Sequence, residues 1–190
     1  MQNALYTASD DNFDVTLSVI KQEENFIADG NTDKVMEIST LTLTPRDTDA
    51  LKNTYEYTLK GSKSSATGSI SKNKLGINLA CKIENFSELG DLESLTLTLG
   101  ETSIEYTLTN ICPADCDGNE ALGIAYTHYQ ERIDSALTDK SFDRECYVKL
   151  ITKDDDKCFW YVSFIKDKGD YWSAIVDPQT KEVINTRESK

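Results

Sequence analysis

Histidine, proline, basic residues and long apolar runs are all scarce in this chain. His128 is the sole histidine among 190 residues. A general base needs a positioned partner, and a zinc centre needs several ligands at tight spacing. One imidazole with no cysteine close by in sequence therefore offers neither a Cys/His nucleophile nor a metal site. Three prolines and nine glycines exclude a collagen-like or low-complexity chain. No stretch approaches the ~18 apolar residues that a membrane-spanning helix requires. Met1-Gln2-Asn3-Ala4 shows no basic region followed by an apolar core, so no leader is visible. Lys and Arg number 20 against 33 Asp and Glu, a net charge of −13. Residues 1–110 carry 17 acidic and 9 basic side chains, and residues 111–190 carry 16 and 11, so neither half holds a basic stripe. Neutralising phosphates takes clustered Lys and Arg, which argues against nucleic acid and against an anionic membrane surface as partners. There is no glycine-rich phosphate loop and no Gly-x-Ser-x-Gly.

The five cysteines, Cys81, Cys112, Cys116, Cys146 and Cys158, are odd in number, so at least one thiol stays outside any internal disulfide. Cys112-Pro113-Ala114-Asp115-Cys116 is a CxxxC rather than the CxxC of redox or zinc motifs. It forms a disulfide or stays as two thiols. Asp115-Cys116-Asp117-Gly118-Asn119-Glu120 invites a calcium reading. An EF-hand needs its glycine sixth and its glutamate twelfth, whereas here glycine is fourth and position twelve is Tyr126. No catalytic residue, cofactor or metal ligand is nominated, and the expectation is a protein that is not an enzyme.

What the chain has instead is alternation. Phe13, Val15, Leu17 and Val19 alternate with polar residues, the period of a half-buried strand. Residues 35–44, Tyr55 to Leu59, Ala66 to Ser71, Leu75 to Ile83, Leu95 to Leu99 and Ile104 to Leu108 repeat the pattern, while residues 1–12 read as a frayed lead-in. Gly100-Glu101 fits a two-residue hairpin turn in which glycine supplies a positive φ. About seven short strands at this spacing predict an immunoglobulin-like β-sandwich over residues 1–111. Residues 28–33 read as a loop.

Residues 112–118 form a linker. Asp117 and Glu120 then have capping-box spacing. From Asn119 the apolar stripe Leu122, Ala125, Tyr129, Ile133, Ala136 and Leu137 predicts a helix ending near Thr138, with a loop opening at residues 139–141. Three strands and a closing Val183-Ile184 follow, separated by turns at the acidic run 153–156, at Gly169 and at 177–180. A tight first turn would set Val148 against Tyr161 and Leu150 against Phe159. The middle strand is apolar on both faces, Phe159, Tyr161 and Ile165 on one and Trp160, Val162 and Phe164 on the other. Both faces are therefore expected to be covered. The fold class is thus β-rich with two domains: an immunoglobulin-like β-sandwich followed, over residues 119–190, by an α+β helix-on-antiparallel-sheet domain.

The helix, the strand Tyr161-Val162-Ser163-Phe164 and the ending Val176-Asp177-Pro178-Gln179-Thr180-Lys181-Glu182-Val183 together resemble the PepSY domain family. The resemblance covers residues 118–186. It departs at Lys181, which stands where the family has glycine in its turn. It implies a small helix-on-sheet domain of secreted or membrane-associated bacterial proteins, some of them propeptides of metallopeptidases with a suggested inhibitory role. It carries no catalytic residues.

The expectation is therefore a non-enzymatic bacterial protein of the cell surface or envelope, secreted or lipoprotein-like, with any signal or membrane anchor outside the 190 residues. It would bind a protein or peptide partner or regulate a peptidase. The alternative is an accessory module that binds a glycan or small solute through exposed aromatics. The candidate binding residues for either are Trp160, Tyr161, Tyr171 and Trp172, since tyrosine and tryptophan are enriched where one protein surface meets another molecule.

Overall fold

In a computed structural model, residues 1–24, 34–138, 141–152, 157–167 and 169–189 are described. The expected loop at 28–33, the loop start at 139–140 and the acidic turn at 153–156 lie outside them. Strands hold 59% of the described residues, which makes the protein β-rich. Residue contacts divide it into two compact units. One comprises Met1–Asn3, the described part of Ile20–Glu37, and Cys112–Lys190; the other comprises Ala4–Val19 and Ile38–Ile111. This differs from a simple cut at residue 111, because two early segments belong with the later residues.

The larger sheet is built from β1 (Gln2–Ser9), β2 (Phe13–Glu23), β3 (Val35–Pro45), β4 (Tyr55–Gly61), β5 (Ser65–Lys72), β6 (Leu79–Ile83), β7 (Leu92–Leu99), β8 (Thr102–Tyr106) and β9 (Thr109–Asn110). Short 3-10 turns at Thr48–Lys52 and Phe86–Glu88 interrupt the connections. The strand order is β8-β7-β4-β5-β6-β3-β2-β1-β9. β8 ends at Tyr106 and β9 begins at Thr109, so the two edges of this order are joined by only two residues. The sheet must curl for both to pair where they do. β5 makes a corner: Ser65 to Ile70 face β4, whereas Ser71 and Lys72 face β6. Strands that serve two sheets in this way are how β-layers turn corners.

The alternation read from the sequence fills the inside of this curl. Phe13, Val15, Leu17, Leu41, Leu43, Leu59, Leu95 and Leu97 are all at most 2% exposed. Each such side chain contributes roughly 1.5–3 kcal/mol on burial. Gly100 has φ 61, as the two-residue turn between β7 and β8 requires.

Two stretches differ from expectation. Residues 2–9 form a strand rather than a frayed lead-in. Tyr6 pairs with Asn110 and Thr7 with Thr109, while Ala4, Tyr6 and Ala8 pack on the core. Alanine alternation is too weakly apolar to announce a strand; the partner strand makes it one. Conversely, Leu75 to Ile83 is not one strand. Leu75 and Ile77 are 80% and 68% exposed, in a turn closed by the Asn73 N–H on the Asn78 carbonyl at 2.9 Å. The Asn73 side chain accepts from the Gly76 N–H at 2.7 Å, and Gly76 has φ 76. Asparagine and glycine here outvote a clean alternating pattern.

The later residues begin with α1 (Gly118–His128) and α2 (Gln130–Ala136), then β10 (Leu137–Thr138), β11 (Ser141–Phe142), β12 (Glu145–Thr152), β13 (Cys158–Asp167), β14 (Asp170–Asp177) and β15 (Glu182–Glu188). Asp117 caps α1, its carboxylate accepting from Asn119 and Glu120 N–H at 2.9 Å each. The second half of the expected capping box is absent, since Glu120 accepts from Lys181 Nζ at 2.8 Å. The single expected helix breaks at Tyr129, whose ψ is 16°. The buried stripe is Ala121, Ala125, Tyr129 and Ile133, with Leu122 half-buried and Leu137 exposed.

β12, β13, β14 and β15 form an antiparallel meander in that order, and α1 packs on it. The register lies one residue from the expected one: Val148 pairs with Val162 and Leu150 with Trp160. One face presents Val148, Leu150, Trp160, Val162, Phe164, Trp172, Ala174 and Val176, all buried. On the other face Ile151, Phe159, Tyr161, Ile165 and Tyr171 are half-buried, and Tyr147 is exposed.

Candidate functional site

The four residues singled out from the sequence do not share one surface. Trp160 is fully buried, and its indole N–H donates to the Cys116 carbonyl at 2.7 Å. That bond fixes the segment before α1 onto β13. Trp172 is 7% exposed and sits in an aromatic group with Tyr129 and Phe164, ring centroids 6.0 and 6.1 Å away. Tyr161 and Tyr171 lie on the opposite face of the sheet, half-buried. The structure therefore brings Tyr161 and Tyr171 onto one face and holds both tryptophans inside.

The Tyr161 hydroxyl shares a hydrogen bond with Ser173 Oγ at 2.9 Å, and Ser173 Oγ another with Ser163 Oγ at 3.1 Å. Ser163 Oγ donates to the Trp172 carbonyl at 3.2 Å, and the Tyr129 hydroxyl donates to the Ser173 carbonyl at 2.8 Å. Both serines are at most 1% exposed. Their hydroxyls are satisfied by each other, by Tyr161 and by backbone, and this arrangement ties β13 to β14.

Arg144 is a residue the sequence did not point to. It is 8% exposed and forms a forked pair with Asp170, Nη1 to Oδ1 at 2.8 Å and Nη2 to Oδ2 at 2.9 Å. Its guanidinium carbon lies 4.1 Å from the Trp172 ring centroid. The hydrogen bond from Arg144 holds the Asp170 carboxyl below the usual range. Planar stacking and bidentate pairing are what arginine offers and lysine does not. No local pattern in Asp143-Arg144-Glu145 announces it, because its partners come from β14.

His128 is exposed and packs edge-on to Tyr129, centroids 4.9 Å apart. It borders an open polar hollow that includes Glu131, Arg132, Asp134 and Glu188, where Arg132 and Glu188 pair at 2.7 Å. No disulfide links any of the five cysteines. Burial pushes the Cys81 thiol up to about 11, against a nucleophilic role near neutral pH. Among the described residues no group of three His, Cys, Asp or Glu side chains is placed to hold a metal ion, and no helix is long and apolar enough to cross a membrane.

The turn between β14 and β15 is the other feature marked in advance. The Lys181 N–H donates to the Asp177 carbonyl at 2.9 Å, and the Asp177 carboxylate accepts from Gln179 N–H at 2.8 Å. Lys181 itself has φ 58, in the left-handed region.

Fold and site together define a β-rich protein with two compact units, one carrying a helix-covered four-stranded sheet. No protein-family model, no curated protein and no solved structure matches this chain.

Proposed function

We propose that this is a non-enzymatic bacterial protein of the cell surface or envelope whose C-terminal part is a PepSY-like domain, and that it acts by binding a protein or peptide, in particular by regulating a peptidase. The observation that carries the reading is the conformation of Lys181. A turn that places the fourth residue after Val-Asp at φ 58 is the turn a glycine would fill without strain. The residue type departs from the PepSY pattern, and the left-handed φ supports the reading because it is a conformation glycine adopts freely. The helix packed on one face of a four-stranded antiparallel meander agrees with the same reading.

An immunoglobulin-like sandwich for residues 1–111 draws less support. The strands follow one hydrogen-bonded order with a corner at β5, and a curled, filled sheet accounts for that order. The glycan-binding alternative is weakened by the burial of Trp160 and Trp172.

The test is to titrate the full chain into secreted zinc metallopeptidases while following hydrolysis of a fluorogenic peptide. Saturable inhibition, with the chain intact on a gel, is the expected outcome. Unchanged hydrolysis together with no co-elution on size exclusion would overturn the peptidase-regulating reading. Fractionation of the source cells tests the location, and recovery of the protein from the cytosol alone would sink the envelope assignment.

A further inference from the structure

A cavity of about 410 Å³ opens at one end of the curled sheet. Three connections meet there: the turn between β1 and β2, the 3-10 turn after β3, and the hairpin between β7 and β8. Its walls are apolar, with Phe13, Tyr55, Leu97, Leu99 and Ile104 among the lining residues. Its rim is acidic, with Asp11, Asp47 and Asp49, and the described lining includes no lysine or arginine. Pockets of roughly 300–1,000 Å³ that are mostly apolar with a few polar groups are the usual shape of small-molecule sites.

We propose that this cavity binds a small organic cation, an ammonium group carried on an alkyl or arylalkyl body. The carboxylates supply the selectivity. Asp49 is already answered by Lys52 at 2.6 Å, and the neighbouring Asp14 by Arg46 at 2.7 Å. Asp11 and Asp47 form no ion pair among the described residues; the Asp47 carboxylate only accepts the Asp49 N–H, at 2.9 Å. Two negative charges thus stand unneutralised at the mouth of an apolar hole. An anion is repelled there, and a neutral apolar molecule gains only the wall contacts. An ammonium with an apolar body gains both. Tyr55 adds a polar contact inside. It is 8% exposed, and its hydroxyl has one long hydrogen bond, from Asn53 Nδ2 at 3.5 Å. Phe13 stands edge-on to it, ring centroids 5.4 Å apart, so the two rings together form part of the apolar wall. Leu99, 40% exposed at the rim, is well placed to be covered by a bound apolar group. This inference is independent of any reading of residues 118–186.

The test uses three probes of similar shape and different charge: phenethylammonium, phenethyl alcohol and phenylacetate. Each is titrated into the full chain while the methyl signals of Leu97, Leu99 and Ile104 are followed by NMR. Saturable shifts at those methyls with the ammonium are expected, roughly tenfold weaker binding of the alcohol, and none of the carboxylate. The double variant Asp11→Asn, Asp47→Asn should weaken the ammonium roughly tenfold and leave the alcohol unchanged. Asparagine still caps the 3-10 turn, so the scaffold is retained. Equal affinity for all three probes, shifts confined to other residues, or no saturable shift with the ammonium would each overturn the proposal, and none of these depends on the variant folding.

Discussion

Single residues carry much of what distinguishes this chain, and Lys181 is the clearest. Its φ of 58 places a Cβ where the left-handed region disfavours one. Its ammonium meets Glu120, but both side chains are over 40% exposed, so that pair contributes little. Lys181→Gly is therefore expected to raise Tm by about 2–4 °C, because relief of strain exceeds the added freedom of the unfolded chain. Lys181→Ala serves as the control. It removes the same ion pair and keeps the strained Cβ, so its melt should not rise. Differential scanning calorimetry of the three proteins decides it.

Asp170 makes a prediction of opposite origin. Its carboxyl is depressed by the Arg144 hydrogen bond. A depressed folded pKa contributes stability that is present above the unfolded value of about 3.9 and lost as pH falls through the folded value. Acidification from pH 5 towards pH 2 should therefore cost the parent chain stability that Asp170→Asn does not have to lose. Melts followed by tryptophan fluorescence suit the measurement, since Trp160 and Trp172 are the two tryptophans of the chain and both belong to this unit. Parallel acid profiles for the two proteins would refute the assignment. Asp170 could not be picked from sequence. It looks like any acid after a glycine until β12, β13 and β14 pair in order and bring Arg144 to it.

At the level of elements, edges and turns decide more than alternation does. β12 is an edge strand, and its Leu150 N–H donates to the Gln2 side chain at 2.9 Å. Leu150 and Gln2 are 2% and 3% exposed. A buried N–H without its acceptor costs about 1–3 kcal/mol. Gln2→Ala should therefore destabilise this unit by that amount, read as an earlier tryptophan-fluorescence melt; an unchanged melt would show that the bond contributes nothing. Residues 1–12 resemble a frayed end in sequence because Gln2, Ala4 and Ala8 carry no strong apolar signal. Their place between β2 and the distant β9 is what makes them a strand. The mismatch between Leu75 and Asn78 runs the other way. Periodicity there is strong, yet Asn73, Gly76 and Asn78 close a turn whose local hydrogen bonds cost less than extending the strand. The buried stripe running through α1 and α2 is legible in Ala125, Tyr129 and Ile133. Its break at Tyr129 is not, because nothing in the side-chain pattern records it.

At the scale of the whole molecule, the sequence by itself determined that the protein is β-rich, that a helical stretch and an antiparallel meander follow a run of strands, and that Val15, Leu17, Leu41, Leu43, Leu59, Leu95 and Leu97 face inward. Those properties depend on period and on polarity, and both are written locally. Only the tertiary structure decided that the early strands follow one curled order with a corner at β5, since pairing partners are chosen by register and not by composition. It also decided that Met1–Asn3 belongs with the later residues, and that Trp160 and Trp172 are core rather than surface. Tryptophan suits either place, and the choice fell to the Cys116 carbonyl and the Arg144 guanidinium, which no neighbouring residue foretells. The acidic mouth of the curled sheet is likewise a tertiary product. Asp11, Asp47 and Leu99 are far apart in the chain, and only the closure of the strands brings their turns to one end.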